Sequence, residues 1–292
     1  MGLYKHMKGN IEIQSDDMRL VRFLARAFVM LNENQIAELL GRPRRTVRRR
    51  LKRLVGAGMV SEREAEGQGT ESRAPFYYLG TEGQKVVDPE GKDRKVQGRG
   101  AQARKTGTGK LGHMRMAGWI QAKFRTAGRE YDDYRFEAWI PEDAEVWEVL
   151  LKQGVGMRPD GYARDVKGGE CFQVFVEADR GSYRGDELGR KFEKYWRYVS
   201  SSFAEKHFGA GEFRVIFVTE SEGRARELVR RAKRYGRDIF WVCVMDEFKR
   251  KGLFDAYWRC GSSEVRVSLD EVTGQLPEAP EPPAGYGEVL SV

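Results

Sequence analysis

Three acidic residues, Asp160, Glu177 and Asp179, have the types and spacing of a site for a divalent cation. Asp160 opens a predicted strand, Gly168-Gly169 suits a hairpin turn, and the apolar run Cys171–Val176 predicts a second strand. Neighbouring strands bring the Asp160 and Glu177 carboxylates together, and Asp179, two residues beyond Glu177, points to the same face. Carboxylates this close repel each other, so the cluster predicts a hard cation, Mg²⁺ or Mn²⁺, that offsets the repulsion.

The chemistry available to such a site is metal-dependent cleavage of a phosphodiester. The cation would bind the scissile phosphate, lower the pKa of an attacking water and stabilise charge on the attacking and leaving oxygens. The same acids also have a structural interpretation. Asp160 lies between a proline and a glycine, as turn aspartates do. Glu177 and Asp179 could form a solvated strand end paired with Arg180 and Arg184.

Tyrosine is a second type of nucleophile that the sequence offers. Tyr195 and Tyr198 lie in a predicted helix and could form a phosphotyrosine link. The helical spacing of Tyr195 with Leu188 and Phe192 favours packing in a core instead. The three histidines are scattered along the chain, which argues against a metal site with two clustered histidine ligands.

The elements that position these residues alternate along residues 111–270. An amphipathic helix around Trp119 and a strand over Asp133–Ile140 precede the acidic hairpin. A helix, the buried strand FRVIFVT, a basic helix and the strand IFWVCVMD follow it. This order, close to α-β-β-β-α-β, predicts an α/β domain with helices packed on a sheet.

Residues 11–87 resemble the winged helix-turn-helix of bacterial regulators and replication proteins. A first helix begins near Asp16 or Asp17, Asn34 caps a short second helix, and Pro43 begins a third. Two predicted strands then flank the polar, glycine-rich loop EAEGQGTES, which is typical of a hairpin wing. This resemblance predicts an N-terminal DNA-binding domain.

The third predicted helix is strongly basic. Between Gly41 and Arg53 the chain has eight basic residues and no acidic one. Like charges on one helix repel each other, so this density predicts that a polyanion neutralises them. Arginine reaches both phosphates and guanine edges in the major groove of duplex DNA. The predicted DNA-binding residues are Arg42, Arg44, Arg45, Arg48, Arg49, Arg50, Lys52 and Arg53.

Composition favours a nucleic-acid partner and a reducing compartment. The formal net charge is +8, which favours a polyanionic partner. The three cysteines are far apart and form no CxxC motif, which favours a reducing compartment over a disulfide framework. No signal peptide or membrane span is recognisable, so we expect a cytoplasmic protein. Residues 88–110 have few large apolar side chains and predict a flexible basic linker. Residues 271–292 are rich in proline and glycine and predict a disordered tail.

The order of these features resembles the replication-relaxation family of plasmids and conjugative elements. The resemblance covers most of residues 15–245 and rests on the basic helix followed by RPDGY, FVEADRG and KFEKYWRY. It implies a two-domain α+β protein, with a winged helix-turn-helix followed by an α/β core like the restriction-endonuclease PD-(D/E)xK fold. It also implies a role in plasmid replication and DNA relaxation, with nicking of DNA at a transfer origin in some members.

The resemblance implies residue roles and departs from the nuclease pattern at one position. It implies Asp160, Glu177 and Asp179 as catalytic metal ligands, although the pattern has lysine where Asp179 stands. Lys191 on the next helix, or Lys194, would supply the missing charge. We therefore expect a Mg²⁺- or Mn²⁺-dependent nickase that acts on double-stranded DNA, with a homodimer and other replication or transfer proteins as further partners. The alternative is a non-catalytic replication accessory or transcriptional regulator with an inert nuclease-like domain.

Overall fold

The computed structural model divides the chain into two compact units, with the boundary between Thr126 and Ala127. It describes residues 12–64, 74–152, 156–199, 202–209, 212–235, 239–261 and 265–270. The predicted tail and most of the predicted wing loop lie outside the described residues. Within the described ranges, no helix is both long enough and apolar enough to cross a bilayer.

Three helices open the first unit: α1 (Ser15–Arg26), α2 (Glu33–Leu40) and α3 (Arg44–Gly56). Asn32 caps α2, not Asn34 as the sequence predicted. The Gln35 backbone N–H donates to Asn32 Oδ1 at 3.0 Å, and the Asn32 N–H donates to Gln35 Oε1 at 2.8 Å. This reciprocal pair requires a glutamine three residues after the cap, which fixes the start at Asn32. Gly41, at φ 63°, ends α2 in the left-handed region, so the chain turns at once into α3.

A small antiparallel sheet follows, formed by β1 (Leu31–Asn32), β2 (Val60–Arg63) and β3 (Phe76–Leu79). Strand β3 lies between the other two, and β2 and β3 coincide with the predicted hairpin strands. The helices and the sheet share one apolar core, whose members include Leu24, Ile36, Leu51, Leu54 and Tyr77. Because α3 buries one face in this core, the opposite face points outward.

The segment predicted as a flexible linker, 88–110, is largely helical. Helices α4 (Thr81–Val87), α5 (Arg94–Lys105) and α6 (Thr108–Thr126) complete the first unit. Asp93 caps α5, Val96 and Ala103 are fully buried, and the buried Arg99 donates to the Ala25 carbonyl oxygen at 3.4 Å. The linker prediction was wrong because the small side chains of Val96 and Ala103 and the buried Arg99 hold α5 in place. None of these is a large apolar side chain, which is what the prediction looked for.

Helix α6 also shifts the boundary between the units. The sequence predicted that the second domain begins at residue 111, but α6 packs on α2 in the first unit. There Gln35 Nε2 donates to the Arg115 carbonyl oxygen at 2.7 Å, and Ala122 is buried in the core. An amphipathic helix at a boundary can cover the core on either side, so its periodicity does not decide which unit it joins.

A six-stranded mixed sheet organises the second unit, in the order β4-β5-β6-β7-β8-β9. Strands β4, β5 and β6 are antiparallel, β6, β7 and β8 are parallel, and β9 is antiparallel to β8. The predicted mixed α+β class is therefore confirmed. The strands are β4 (Tyr134–Pro141), β5 (Gly161–Lys167), β6 (Glu170–Asp179), β7 (Glu212–Thr219), β8 (Phe240–Val244) and β9 (Arg259–Cys260).

Among the described residues, five α-helices accompany this sheet: α7 (Glu145–Lys152), α8 (Gly185–Val199), α9 (Ser202–Phe208), α10 (Glu222–Ala232) and α11 (Met245–Arg250). Phe192 of α8 stacks on Phe217 of β7, with ring centroids 4.8 Å apart, in a core that also contains Phe175. Because strand residues alternate between faces, Phe175, Glu177 and Asp179 share the α8 side of the sheet. Along β6 that side has the buried Gln173 and Phe175 before the two acids at the end of the strand.

Candidate functional site

Asp160 and Glu177 lie opposite each other at the open end of the β5–β6 hairpin. The register pairs Gly161 with Val176, which puts Asp160 directly across from Glu177. The Asp160 N–H donates to the Val176 carbonyl oxygen at 2.9 Å, and the Ala178 N–H donates to Asp160 Oδ2 at 2.7 Å. The backbone of β6 thus holds the Asp160 carboxylate in place, and the two acids come together.

A third acid, Glu142, lies on the other side of Asp160. Strand β4 pairs Pro141 with Gly161, so Glu142, Asp160 and Glu177 form a row across three neighbouring strands. A carboxylate oxygen of the exposed Glu142 lies within 4.8 Å of one of Asp160. The sequence did not predict Glu142 as a site residue, because only the β4–β5 register reveals its position.

The Glu177 carboxylate is buried, and both of its oxygens are hydrogen-bonded. The Tyr195 hydroxyl donates to Oε1 at 2.5 Å, and Lys191 Nζ donates to Oε2. Burial raises the pKa of Glu177 to about 7, although the charge of Lys191 opposes this rise; the nearby Asp160 adds to it. Glu177 is therefore a carboxyl group that exchanges its proton close to neutral pH.

Helix α8 supplies both partners of Glu177, because Lys191 and Tyr195 are four residues apart and share one helix face. Burial by itself would lower the pKa of Lys191, but the negative charges of Glu177 and Asp160 outweigh it and raise that pKa. The Lys191 ammonium also lies 4.5 Å from the centre of the Tyr183 ring. The cation is thus held between a carboxylate and an aromatic face.

Asp179 shares the strand face of Glu177 but contacts a different helix. Arg224 of α10 donates from Nε to Oδ2 at 2.7 Å and from Nη2 to Oδ1 at 2.8 Å. Thr219 Oγ1 donates to Oδ2 at 3.2 Å. The hydrogen bond to Asp179 is the main cause of the raised pKa of Arg224. Asp179 therefore has a basic partner of its own, and the neighbouring Arg180 pairs with Glu220 instead.

A cavity of about 310 Å³ opens beside Glu177. Arg190 and Lys194 on its rim are exposed, and no described residue forms an ion pair with either of them. With one exposed acid, Glu187, beside these two cations, the rim has a net positive charge next to a buried carboxyl group. The lining comes from β6, α8 and the segments before β5 and α8, and comprises Gly156, Met157, Arg158, Glu177, Tyr183, Glu187, Arg190, Lys191, Lys194 and Tyr195.

The two tyrosines considered as nucleophiles are both packed in the core. Tyr195 is 1% exposed and Tyr198 is 5% exposed, and burial raises the pKa of both hydroxyls. The Tyr198 hydroxyl is hydrogen-bonded to His207 Nδ1 at 2.7 Å, whereas the Tyr195 hydroxyl donates to Glu177. Their surroundings agree with the packing interpretation.

In the first unit, the basic residues around α3 separate into two groups. Members of the first group are paired with acids from α1 and α2, so acids of the chain itself offset part of their charge, and their contact with a polyanion stays a prediction. Arg50 Nε donates to Asp17 Oδ1 at 2.6 Å, and this pair is largely buried. The pairs are Arg42 with Asp16, Arg44 with Glu33, Arg48 with Glu33, and Arg50 with Asp17.

Glu33 connects two of these arginines. Burial would raise the pKa of Glu33, but hydrogen bonds from Arg48 and Arg44 outweigh burial and lower it. Arg48 Nε and Nη2 reach the two Glu33 oxygens at 2.8 and 3.0 Å, and Arg44 Nε reaches one at 3.1 Å. Both guanidinium groups stay largely exposed, so Glu33 fixes their position without removing them from the surface.

The second group is Arg45, Arg49, Lys52 and Arg53. All four are exposed, and no described residue forms an ion pair with any of them. With 3.6 residues per turn they fall within an arc of about 100°. The buried residues Val47, Leu51 and Leu54 lie on the opposite side of α3. This group therefore forms one continuous basic face that points away from the core.

Comparison with known proteins identifies the family. The sequence model described as replication-relaxation matches residues 22–212. The chain belongs to the replication-relaxation family. This membership supports a role related to plasmid replication.

Two solved structures of the restriction endonuclease FokI also show similarity to the replication-relaxation protein. The restriction endonuclease FokI bound to DNA matches with a TM-score of 0.28 and 15% identity over 83% of this chain. FokI in a second structure matches with a TM-score of 0.29, 15% identity and the same coverage. The chain spans 45% and 44% of the FokI chains. A comparison with curated proteins finds no match.

Proposed function

We propose that this replication-relaxation protein is a metal-dependent DNA nickase of a mobile genetic element. Its first unit would bind duplex DNA as a winged helix-turn-helix, and its second unit would cleave one strand as a nuclease-like domain. The observation that carries the proposal is the row of Glu142, Asp160 and Glu177 at the strand ends, with Lys191 hydrogen-bonded to Glu177.

The winged helix-turn-helix interpretation is supported by the order of elements and by charge. Helices α1 to α3 and the hairpin β2–β3 have the succession expected of that fold. The exposed face of Arg45, Arg49, Lys52 and Arg53 suits the phosphates and base edges of a major groove, because it extends along one side of a single helix. The paired Arg44 and Arg48 flank this face and could contact the backbone.

The acidic row fits a divalent cation by the chemistry of its donors. Hard cations such as Mg²⁺ and Mn²⁺ take carboxylate oxygens as ligands. Two carboxylates within 4.8 Å repel each other, and a cation between them removes this repulsion. Glu142, Asp160 and Glu177 would hold the ion, which would supply Lewis-acid polarisation of the phosphate and lower the pKa of an attacking water.

The remaining residues would position the strand and balance charge. Lys191 is protonated and would stabilise negative charge that develops on the phosphate oxygens. Asp179, whose oxygens are hydrogen-bonded to Arg224, would hold the end of β6 and not a metal. In this proposal Glu142 takes the third ligand position, which the sequence predicted for Asp179.

The test is a nicking assay on supercoiled plasmid that carries the origin of the element. We expect conversion to open circles with Mg²⁺ or Mn²⁺ and none with EDTA. Glu177→Gln should abolish conversion while the protein stays folded, since the amide keeps the size of the side chain. Glu193→Gln, an acid on α8 outside the cavity, is the matched control and should cleave like the wild type. Equal cleavage by the Glu177 and Glu193 variants would overturn the assignment.

A second candidate is a non-catalytic replication accessory or regulator, and one observation favours it. Both Glu177 oxygens already have partners within the chain, and Lys191 balances the carboxylate charge without a metal. Under this alternative the protein would shift the mobility of origin DNA and leave supercoiled plasmid intact under every metal condition. The same assay, run beside a mobility-shift experiment, separates the two candidates.

A further inference from the structure

The cavity beside Glu177 has an aromatic wall that the proposed cleavage does not use. Tyr183, in the loop between β6 and α8, is 38% exposed and lines this cavity. Among the aromatic side chains of the described ranges, it alone is exposed. An exposed aromatic ring beside the buried Glu177 carboxyl group presents a flat surface to a ligand in the cavity.

The position of Tyr183 is fixed by the rest of the site. Arg224 Nη2 donates to the Tyr183 carbonyl oxygen at 2.8 Å while the same guanidinium holds Asp179. The Lys191 ammonium lies 4.5 Å from the ring centre. One contact secures the loop backbone and the other secures the ring, so the aromatic surface is ordered before a ligand arrives.

The charges around the ring suit an anion. Arg190 and Lys194 are four residues apart on the exposed side of α8, and both line the cavity. No described residue pairs with either cation, so a phosphate would not have to displace an internal partner. An aromatic surface next to such cations is the combination with which proteins hold single-stranded nucleic acid.

We infer that this cavity binds an unpaired nucleotide of single-stranded DNA, with its base stacked on Tyr183 and its flanking phosphates on Arg190 and Lys194. A cavity of about 310 Å³ lies at the lower end of the size range of small-ligand pockets, so it admits a base and excludes a duplex. The inference rests on the proposed function, because it names the conformation of the DNA strand at the proposed cleavage site.

The test uses the full chain, in EDTA so that no cleavage occurs, and a short deoxythymidine oligonucleotide with one 2-aminopurine. All proteins carry Arg45→Ala and Arg49→Ala, so that α3 contributes little to binding. We expect the 2-aminopurine fluorescence to be quenched on binding and Tyr183→Ala to weaken affinity about tenfold. Tyr183→Trp should restore both signals, because any aromatic face stacks a base.

The phosphate contacts have their own readout. Replacing both Arg190 and Lys194 by alanine should lower the slope of log affinity against log salt by about 1.4, at about 0.7 per phosphate contact on a single strand. Arg197→Ala, an exposed arginine on α8 outside the cavity, is the matched control and should leave this slope unchanged.

The outcomes separate this inference from the proposed function. If quenching depends on Tyr183 but the protein nicks no DNA, the strand-binding cavity is supported and the proposed nickase function is overturned. If the protein nicks DNA but its Tyr183→Ala variant binds the oligonucleotide like the wild type, the nickase is supported and the strand-binding cavity is overturned. Equal affinity for a fully paired duplex containing 2-aminopurine, with the same dependence on Tyr183, would also overturn the inference.

Discussion

The basic face of α3 and the cavity beside Glu177 both concentrate charge, but they stabilise it in different ways. On α3, Arg45 and Arg49 are exposed, and the described residues offer them no acidic partner. In the second unit, Glu177 and Asp179 are buried and each accepts hydrogen bonds from a basic side chain. Exposed charge of the first kind is solvated by water and remains available to a polyanion, whereas buried charge of the second kind depends on the fold.

This difference predicts where a substitution affects stability and where it affects binding. Removing one member of a buried pair leaves the other charge without water or partner, so the fold loses stability. Removing an exposed cation leaves the fold nearly unchanged but takes one contact from a phosphate. The paired arginines of α3 lie between these extremes.

The largest expected effect follows from the Asp179–Arg224 pair. Arg224→Met should lower the free energy of unfolding of the second unit by about 3–5 kcal/mol, because Asp179 stays buried without its bidentate partner. Chemical denaturation of the full chain, followed by tryptophan fluorescence, measures this loss. Arg226→Met, an exposed arginine on the same helix, should change stability by less than about 0.5 kcal/mol. A similar stability for both variants would show that the pair is not structurally important.

A smaller loss is expected in the first unit for Arg50→Ala. Arg50 and Asp17 have side chains that are 14% and 5% exposed, so the pair is less buried than Asp179–Arg224. We expect a loss of about 1.5–3 kcal/mol, the range for hydrogen bonds to charged groups. The adjacent Arg49→Ala serves as the control, since it is exposed. If the Arg49 variant were the less stable one, the division of α3 into paired and exposed groups would be wrong.

Duplex binding should depend on the exposed arginines of α3, whose removal costs the fold little stability. The double variant Arg45→Ala/Arg49→Ala should bind duplex DNA about tenfold more weakly and lose about 1.8 from the salt slope, at about 0.9 per phosphate. Its unfolding midpoint should match that of the wild type. Mobility shifts at several salt concentrations measure both quantities. Binding that does not change with salt would contradict a role for α3 in phosphate contact.

The smallest effect concerns Glu33 and depends on pH. Its pKa is lowered in the folded protein, so its pairs with Arg44 and Arg48 stabilise the fold above the unfolded pKa of 4.5. That stabilisation is lost as the pH falls through the lower folded value. Glu33→Gln should therefore lower the unfolding midpoint slightly at pH 7 and converge with the wild type in acid. A difference between the two unfolding midpoints that grew on acidification would contradict this prediction.

The sequence predicted the hairpin of the second unit well, because its signals are local. Apolar alternation and the glycine pair at 168–169 predict β5 and β6, and antiparallel pairing then brings Asp160 opposite Glu177. The family assignment, confirmed by the match over residues 22–212, rests on motifs of the same short range. Fold class followed from the order of helices and strands.

Local patterns were insufficient where a distant residue decides the outcome. The partners of the α3 arginines are Asp16, Asp17 and Glu33, which the helix packing of the first unit brings near. Composition alone suggested a linker at 88–110, because a window of sequence cannot show that Val96 and Ala103 find an existing core.

The sequence by itself determined the local elements, the basic character of α3 and the acids at the hairpin end, since each depends on residues within a few positions. Only the tertiary structure decided that Asp179 pairs with Arg224 and that Glu142 lies beside Asp160. The physical reason is that the attraction between charged side chains depends on their distance in space and not on their separation in sequence. For these two contacts the distance is set by the packing of α10 and by the register of β4 against β5, and the spacing within the β5–β6 hairpin encodes neither.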